Sequence, residues 1–75
     1  MNQGLCQFLL KLGTNLSTIR KLKHVSQEQL ALTASISLNY ISQLERGMSN
    51  PSMKQLHKIC RCLHIKLYDL LKDTE

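Results

Sequence analysis

The stretch SQEQLALTASISLNYISQLERGMSNPS, residues 26–52, decides the fold because it places two short helical patterns on either side of a tight turn. Its first half opens with Ser26 and Gln29, a capping-box pair in which each side chain accepts a hydrogen bond from the backbone N–H of the other residue. This pattern predicts a helix that begins after Ser26 and ends near Ala34 and Ser35.

The second half of the stretch predicts another helix, which Ser37 caps and which runs to about Arg46, where Gly47 ends it. At 100° per residue, Ile41 and Leu44 lie on one side of this helix. The opposite side carries amide, hydroxyl and guanidinium groups from Asn39, Ser42, Gln43 and Arg46. Exposed helix faces are usually rich in Glu and Lys, so this composition favours a surface that reads DNA bases over a plain solvated surface.

Pro51 separates this motif from the C-terminal part of the chain, because proline lacks a backbone N–H and disfavours helix at the preceding residue, Asn50. Ser52 and Gln55 form a second capping-box pattern, which begins a fourth helix. The buried stripe of that helix should consist of Leu56, Ile59, Cys60 and Leu63. A short fifth helix is predicted from Ile65, Leu67, Leu70 and Leu71.

The N-terminal part carries one amphipathic stripe over residues 4–23, with apolar residues every three or four positions. Gly13 and Thr14 interrupt it, and glycine inside a helix costs about 1 kcal/mol relative to alanine. We therefore expect a break there, which separates a short helical extension, residues 1–11, from a domain of residues 12–75. Alternating strand patterns are absent, so the predicted fold is all-α, with five compact helices.

Composition limits the class of protein. The chain has 75 residues, enough for one small domain, and its formal net charge is +5. A basic surface favours an anionic partner, first nucleic acid and second an acidic membrane surface, although a domain that is merely basic fits the charge equally well. No apolar run approaches the roughly 20 residues of a membrane span, and the N-terminus lacks the basic leader of a secretion signal, so a cytoplasmic protein is expected.

Three cysteines and three histidines raise the alternatives of a metal site or an enzyme. His57, Cys60 and His64 lie along one side of the fourth helix. Cys62 is rotated about 200° from Cys60, so the set suits neither zinc nor a disulfide. The chain has no paired carboxylates and no glycine-rich phosphate loop, and its Cys and His pairs are no more than chance would give. We therefore expect no enzyme, cofactor, metal or small-molecule ligand.

Five short motifs follow one another along the chain: LG at Leu12, IRKL at Ile19, SQEQLA at Ser26, ISQLERG at Ile41 and NPS at Asn50. Together they resemble the helix-turn-helix of the Cro/repressor-type family, also called the Xre family. The resemblance runs over residues 12–71 and implies a lambda-repressor-like DNA-binding domain, in which the second helix of the motif enters the major groove. The chain is also similar to restriction-modification controller proteins, and its small size suits a prophage repressor or a toxin–antitoxin regulator too.

By position, the resemblance assigns contacts with DNA. The residues that would face the bases or the adjacent backbone are Ser37, Leu38, Asn39, Ser42 and Gln43. Among these, Leu38 would contact a thymine methyl group. Gln27 and Arg46 would contact phosphates. The Tyr40 hydroxyl would reach a phosphate, or its ring would pack on a neighbouring helix.

Arg20 and Glu45 complete the resemblance, since in this family an arginine of the first helix pairs with a glutamate that ends the recognition helix. Such a bidentate pair would be structural, and the alternative is two independent surface charges. The sequence departs from the family at three glycine positions and one capping position, which are His24, Ser35, His64 and Lys66. The first three would need a left-handed backbone, at a cost of roughly 1 kcal/mol each.

We therefore expect a small transcriptional regulator that binds a two-fold DNA operator as a homodimer, with no ligand-sensing or catalytic domain attached. Its dimer surface should come from three apolar residues of the fifth helix, Ile65, Leu67 and Leu71, joined by Leu5 and Phe8. Alternatively, these residues close the core. The alternative is an antitoxin or protein-interaction module that acts through a protein partner such as a toxin. Acidic residues on the reading face would favour that alternative, and the polar residues of that face include none.

Overall fold

The computed structural model describes residues 3–74 and contains five α-helices over that range, with no strand. They are α1 (Gln3–Leu22), α2 (Gln27–Ala34), α3 (Leu38–Glu45), α4 (Met53–Leu63) and α5 (Leu67–Leu71). The first helix packs against α3 and α5, while α2 lies against α3 and α4, and α4 also contacts α5. The predicted all-α fold of five helices is confirmed. Within the described range, no helix has the length and apolar character needed to span a membrane.

The core is aliphatic, as expected of a chain with only 4% aromatic residues. All five helices contribute to it, and its largest fully buried side chains are Leu12, Leu16, Leu30, Ile41, Leu44, Ile59, Leu63 and Leu70. Full burial of one such side chain is worth about 1.5–3 kcal/mol. Because α3 places Ile41 and Leu44 in this core, its opposite face is the one available to a partner.

The first helix is continuous over its 20 residues, so the predicted break at Gly13 and Thr14 is wrong. Gly13 is buried where α1 meets the end of α3, and a Cβ atom there would lie 2.6 Å from the carbonyl oxygen of Glu45. The glycine lets two backbones approach closely, and the packing of α1 against α3 offsets its low helix propensity. The predicted boundary after residue 11 lies inside this helix, and Leu9 on its N-terminal side is already buried.

Serine hydroxyl groups begin three of the helices. Ser26, Ser37 and Ser52 each accept a hydrogen bond of 3.0–3.1 Å from the backbone N–H three residues later, which confirms the predicted caps. The side chain of Gln29 accepts a bond of 2.8 Å from the Ser26 N–H and completes the first capping box. The second box is only half formed, because the buried side-chain oxygen of Gln55 has no hydrogen-bond partner among the described residues. The prediction that the Gln55 side chain accepts a hydrogen bond from the Ser52 backbone N–H is therefore wrong.

Lys66 is the N-cap residue of α5 and makes no side-chain capping hydrogen bond, as expected of a lysine at a capping position of the family. The carboxylate of Asp69 instead accepts a hydrogen bond of 2.9 Å from the Lys66 backbone N–H, and its charge suits the positive end of the helix dipole. From α1, the side-chain amide of Asn15 donates to the carbonyl oxygens of Leu70 and Lys72 at 2.8 and 2.7 Å. These two bonds hold the end of α5 against α1.

The four longer helices end alike, each followed by a residue with φ between 57° and 74°: His24, Ser35, Gly47 and His64. The next residue donates its N–H to the carbonyl five positions back, as from Ile36 to Ala31 at 3.0 Å and from Ile65 to Cys60 at 3.0 Å. This is the Schellman arrangement, which requires a left-handed residue. The left-handed backbone predicted for three residues other than glycine is therefore confirmed, and it costs each roughly 1 kcal/mol.

The three cysteines are free thiols. Cys60 lies in the core, where burial, together with the charge of Asp69, raises the pKa of its thiol. It therefore behaves as a small apolar side chain. Among residues 3–74, no three His, Cys, Asp or Glu side chains form a group that could hold a metal ion.

Candidate nucleic-acid interface

The exposed face of α3 is the candidate site, and local hydrogen bonds fix both of its ends. At the N-terminal end, the Ser37 oxygen accepts a bond of 3.0 Å from the Tyr40 N–H, and the hydroxyl proton remains available to a partner. At the C-terminal end, the Met48 N–H donates to the Gln43 carbonyl oxygen at 2.9 Å. The helix is therefore short but closed at both ends.

The predicted base-reading residues differ in exposure. Ser37, Leu38 and Asn39, at the N-terminal end of α3, are exposed, and Leu38 retains 44% of its accessible surface. Ser42 and Gln43, one turn further on, are half-buried. Since base edges are contacted mainly by the N-terminal residues of a recognition helix, the structure presents the first group most fully.

The predicted phosphate ligands on and after α3 have different surroundings. Tyr40 is half-buried and packs against the core, which is the packing alternative that its sequence position allowed. Arg46 is exposed, and its Nε donates a long hydrogen bond of 3.4 Å to the carbonyl oxygen of Ser42. That bond leaves the terminal N–H groups of the guanidinium for other acceptors.

Behind the reading face, Arg20 and Glu45 form a buried bidentate ion pair. Arg20 Nε lies 2.6 Å from Glu45 Oε2, and Arg20 Nη2 lies 3.0 Å from Glu45 Oε1. The two side chains are only 8% and 6% exposed. Arg20 Nη1 also donates to the carbonyl oxygen of Val25 at 2.8 Å. The pair ties α1 and the turn after it to the last residue of α3, so it sets the orientation of the reading helix.

The side chain of Gln27 joins this pair, and no sequence pattern predicted that contact. Gln27 Nε2 donates to Glu45 Oε1 at 2.9 Å, so the first residue of α2 is held against the end of α3. The two residues are 18 positions apart, and they meet because α2 packs on α3. The second amide N–H and the amide oxygen of Gln27 are not used in this bond, and its contact with a phosphate stays a prediction.

The electrostatics of this cluster keep both members of the ion pair charged. Burial acts to raise the pKa of Glu45, but hydrogen bonds from Arg20, Gln27 and Ser17, with the charge of Arg20, outweigh burial and lower that pKa. The hydrogen bond to Glu45 raises the pKa of Arg20. The paired charges cancel, so they orient α3 without adding net charge where DNA would lie.

Sequence similarity relates this arrangement to known proteins. The family described as helix-turn-helix matches residues 16–70. Control protein C.BamHI of Bacillus amyloliquefaciens is 38% identical over 66 residues, which cover 87% of this chain and 82% of that protein. The HTH-type transcriptional regulator DdrOP3 of Deinococcus deserti is 35% identical over 66 residues, 88% of this chain. The chain spans only 51% of the length of that regulator.

A solved structure shares the arrangement of helices. The restriction-modification controller protein C.AhdI from Aeromonas hydrophila superposes on this chain with a TM-score of 0.81 at 34% sequence identity. The superposition covers 83% of this chain and 94% of that chain. The likeness therefore extends over most of both molecules.

Proposed function

This chain belongs to the helix-turn-helix family of the Xre type, and from that premise we propose that it is a DNA-binding transcriptional regulator whose α3 lies in the major groove. The observation that carries the proposal is the exposed, non-acidic face of α3, which the buried Arg20–Glu45 pair holds in a defined orientation. The matching proteins are transcriptional regulators and controllers and not enzymes, which supports the same function.

The chemistry of the reading face favours A·T base pairs. Asn39 and Gln43 carry amides that can each make two hydrogen bonds to adenine, and Leu38 can contact a thymine methyl group. No Lys or Arg stands among the base-facing positions, so the usual bidentate contact with guanine is absent from this set. Gln27 and Arg46 would bond the phosphates on either side.

Binding as a homodimer to a two-fold operator is part of the proposal, because one helix-turn-helix covers only a half-site. The candidate dimer residues Ile65, Leu67 and Leu71 pack partly against the core and remain half-exposed. Ile65 lies just before α5, and Tyr68, in α5 like Leu67 and Leu71, is 69% exposed. These features support α5 as the dimer surface. A cytoplasmic location and a protein partner such as a toxin stay predictions.

Selection from a randomised duplex library tests the proposal. The binding step is performed at about 150 mM salt, where nonspecific attraction to phosphates is weakened. We expect an enriched inverted repeat whose A·T-rich half-sites are separated by about one helical turn. G-rich half-sites would contradict the proposal that Asn39 and Gln43 read adenine. A library without any enriched sequence would favour the protein-interaction module.

Replacement of Asn39 separates base reading from general attraction. Asn39→Ala should weaken binding to the selected duplex by about 1–3 kcal/mol and relax the preference at one base position. Arg46→Gln should weaken binding to all duplexes alike and reduce the salt dependence, as expected for a phosphate contact. Titration of the selected duplex and its single-base variants measures both. An equal loss on every duplex for Asn39→Ala would remove Asn39 from the base-reading set.

A further inference from the structure

The net positive charge of the chain comes from one segment, because the charges outside it balance. Residues 46–68 contain five Lys or Arg residues and no Asp or Glu, whereas the ten charged residues outside it comprise five of each sign. The net charge of +5 therefore belongs entirely to this segment. The segment starts directly after the last residue of α3 and includes all of α4.

The helix-turn-helix itself lacks this charge. Residues 26–45, from the N-cap of α2 to the end of α3, contain Glu28 and Glu45 and no Lys or Arg. Glu45 is neutralised by Arg20, which lies behind the reading face. Contacts between cations and phosphates supply much of the affinity of proteins for DNA. A reading unit without cations therefore depends on neighbouring elements for that affinity.

The fourth helix presents a row of cations. Lys54, Lys58 and Arg61 stand at positions i, i+4 and i+7, so they follow one line along α4 over about 10 Å. They lie opposite the stripe that α4 buries in the core; Lys54 and Arg61 are exposed, and Lys58 is half-buried. Within the described part of the chain, none of the three forms an ion pair with a carboxylate.

This row of cations destabilises α4 when no anion is bound to it. Like charges four residues apart on a helix repel each other. Lys54 also stands in the first turn, where the helix dipole disfavours a cation and no acidic residue compensates for it. A polyanion bound along the row would remove both costs.

We infer that the α4 face formed by Lys54, Lys58 and Arg61 binds the sugar-phosphate backbone that flanks the base pairs read by α3. The inference rests on the proposed DNA binding and extends it, because it puts much of the salt-dependent affinity outside the helix-turn-helix. A recognition helix about 10–12 Å wide fills a major groove about 12 Å wide, so the phosphate strands pass beside the elements that adjoin α3. The seven residues 46–52 connect the C-terminal end of α3 to the start of α4, so we place the first turns of α4 beside one strand.

Two double variants that lower the net charge equally test this surface. Lys54→Gln/Lys58→Gln removes two cations from the α4 face. Lys11→Gln/Lys72→Gln removes two from the surface between α1 and the C-terminal segment, where two aspartates stand nearby. Affinity is measured between about 50 and 200 mM salt, on the selected operator and on a random-sequence duplex of equal length.

The α4 variant should show a weaker salt dependence than the parent chain. The slope of log affinity against log salt should be shallower by about 1.8 per bound chain, since each phosphate contact contributes about 0.9. The change should be the same on both duplexes, because phosphate contacts carry no sequence information. The Lys11/Lys72 control should keep the parent slope. Thermal unfolding should show the α4 variant at least as stable as the parent, which excludes loss of the fold as the cause.

Two results would overturn the inference. An unchanged slope for the α4 variant would show that this face does not touch DNA and would leave an acidic protein surface as the partner that fits its charge. An equal change in both double variants would show that net charge matters and position does not. If the parent chain prefers no sequence, the proposed function fails, whereas the slope on the random duplex still decides the role of α4.

Discussion

At the scale of single residues, Glu45 determines how the reading helix is held. Its carboxylate accepts hydrogen bonds from Arg20 and Gln27, which come from α1 and α2, while Glu45 itself ends α3. One buried carboxylate therefore joins three helices, and it is not part of the reading face.

Removal of this carboxylate should destabilise the fold. Glu45→Gln should lower the free energy of unfolding by about 3 kcal/mol, because Arg20 would keep its charge in a buried site without its partner. Glu28→Gln, an exposed position on α2, should change that free energy by less than about 0.5 kcal/mol. Urea denaturation at neutral pH measures both variants. Similar small losses in the two would show that the pair adds little to stability.

The effect of Glu45→Gln should also depend on pH. The folded pKa of Glu45 lies below the ordinary value of about 4.3, so its contribution is complete above that pH and is lost as the pH falls through the folded pKa. The difference in stability between the parent and Glu45→Gln should therefore shrink on acidification from about pH 7 to about pH 2. A constant difference over this range would contradict a charged Glu45 as its source.

At the scale of helices, the ends of the elements are the most regular feature of the molecule. The four longer helices finish in the same Schellman arrangement, although only one has glycine at the left-handed position. Serine caps begin three of them. The left-handed backbone at His24, Ser35 and His64 was predicted from the glycine positions of the family that the chain resembles. The serine caps were predicted correctly from residues three positions apart. The exception is Gln55, whose side chain is buried away from the N–H that it was predicted to bond.

Replacement by glycine should have opposite effects on stability at His64, which follows α4, and at His57, which lies within it. His64→Gly should raise the free energy of unfolding by roughly 0.5–1 kcal/mol, because His64 has φ 57° and glycine adopts that backbone without strain. His57→Gly, exposed within α4, should lower it by a similar amount, because glycine is a poor helix former. Chemical denaturation compares the two identical changes. Loss of stability in both would mean that the backbone at His64 carries little strain.

At the scale of the whole molecule, the contact between α1 and α3 connects the core to the reading face. It passes through Gly13, whose lack of a side chain lets α1 reach the carbonyl groups that end α3. The left-handed Gly47 that follows α3 also packs on α1, since a Cβ atom there would lie 2.8 Å from the side chain of Leu10. The N-terminal half of α1 is therefore part of the fold that supports α3.

Alanine at Gly13 should therefore destabilise the protein, although alanine favours helix. Gly13→Ala should lower the free energy of unfolding by about 1–3 kcal/mol, because the added methyl group forces α1 away from α3. Gly4→Ala, exposed near the start of the same helix, should leave stability unchanged or raise it by up to about 1 kcal/mol. Thermal denaturation measures both. A more stable Gly13→Ala variant would show that the two helices are not in close contact.

The sequence by itself determined the serine-capped starts of α2, α3 and α4 and which face of α3 is polar, because helix periodicity and caps depend on residues close together in the chain. The Arg20–Glu45 pair was predicted only from the resemblance to a family, since 25 positions separate its two members. Only the tertiary structure decided that α1 continues through Gly13 and that Gln27 bonds Glu45. Local propensity penalises a glycine inside a helix, and it contains no information about the backbone from another helix that makes glycine necessary there.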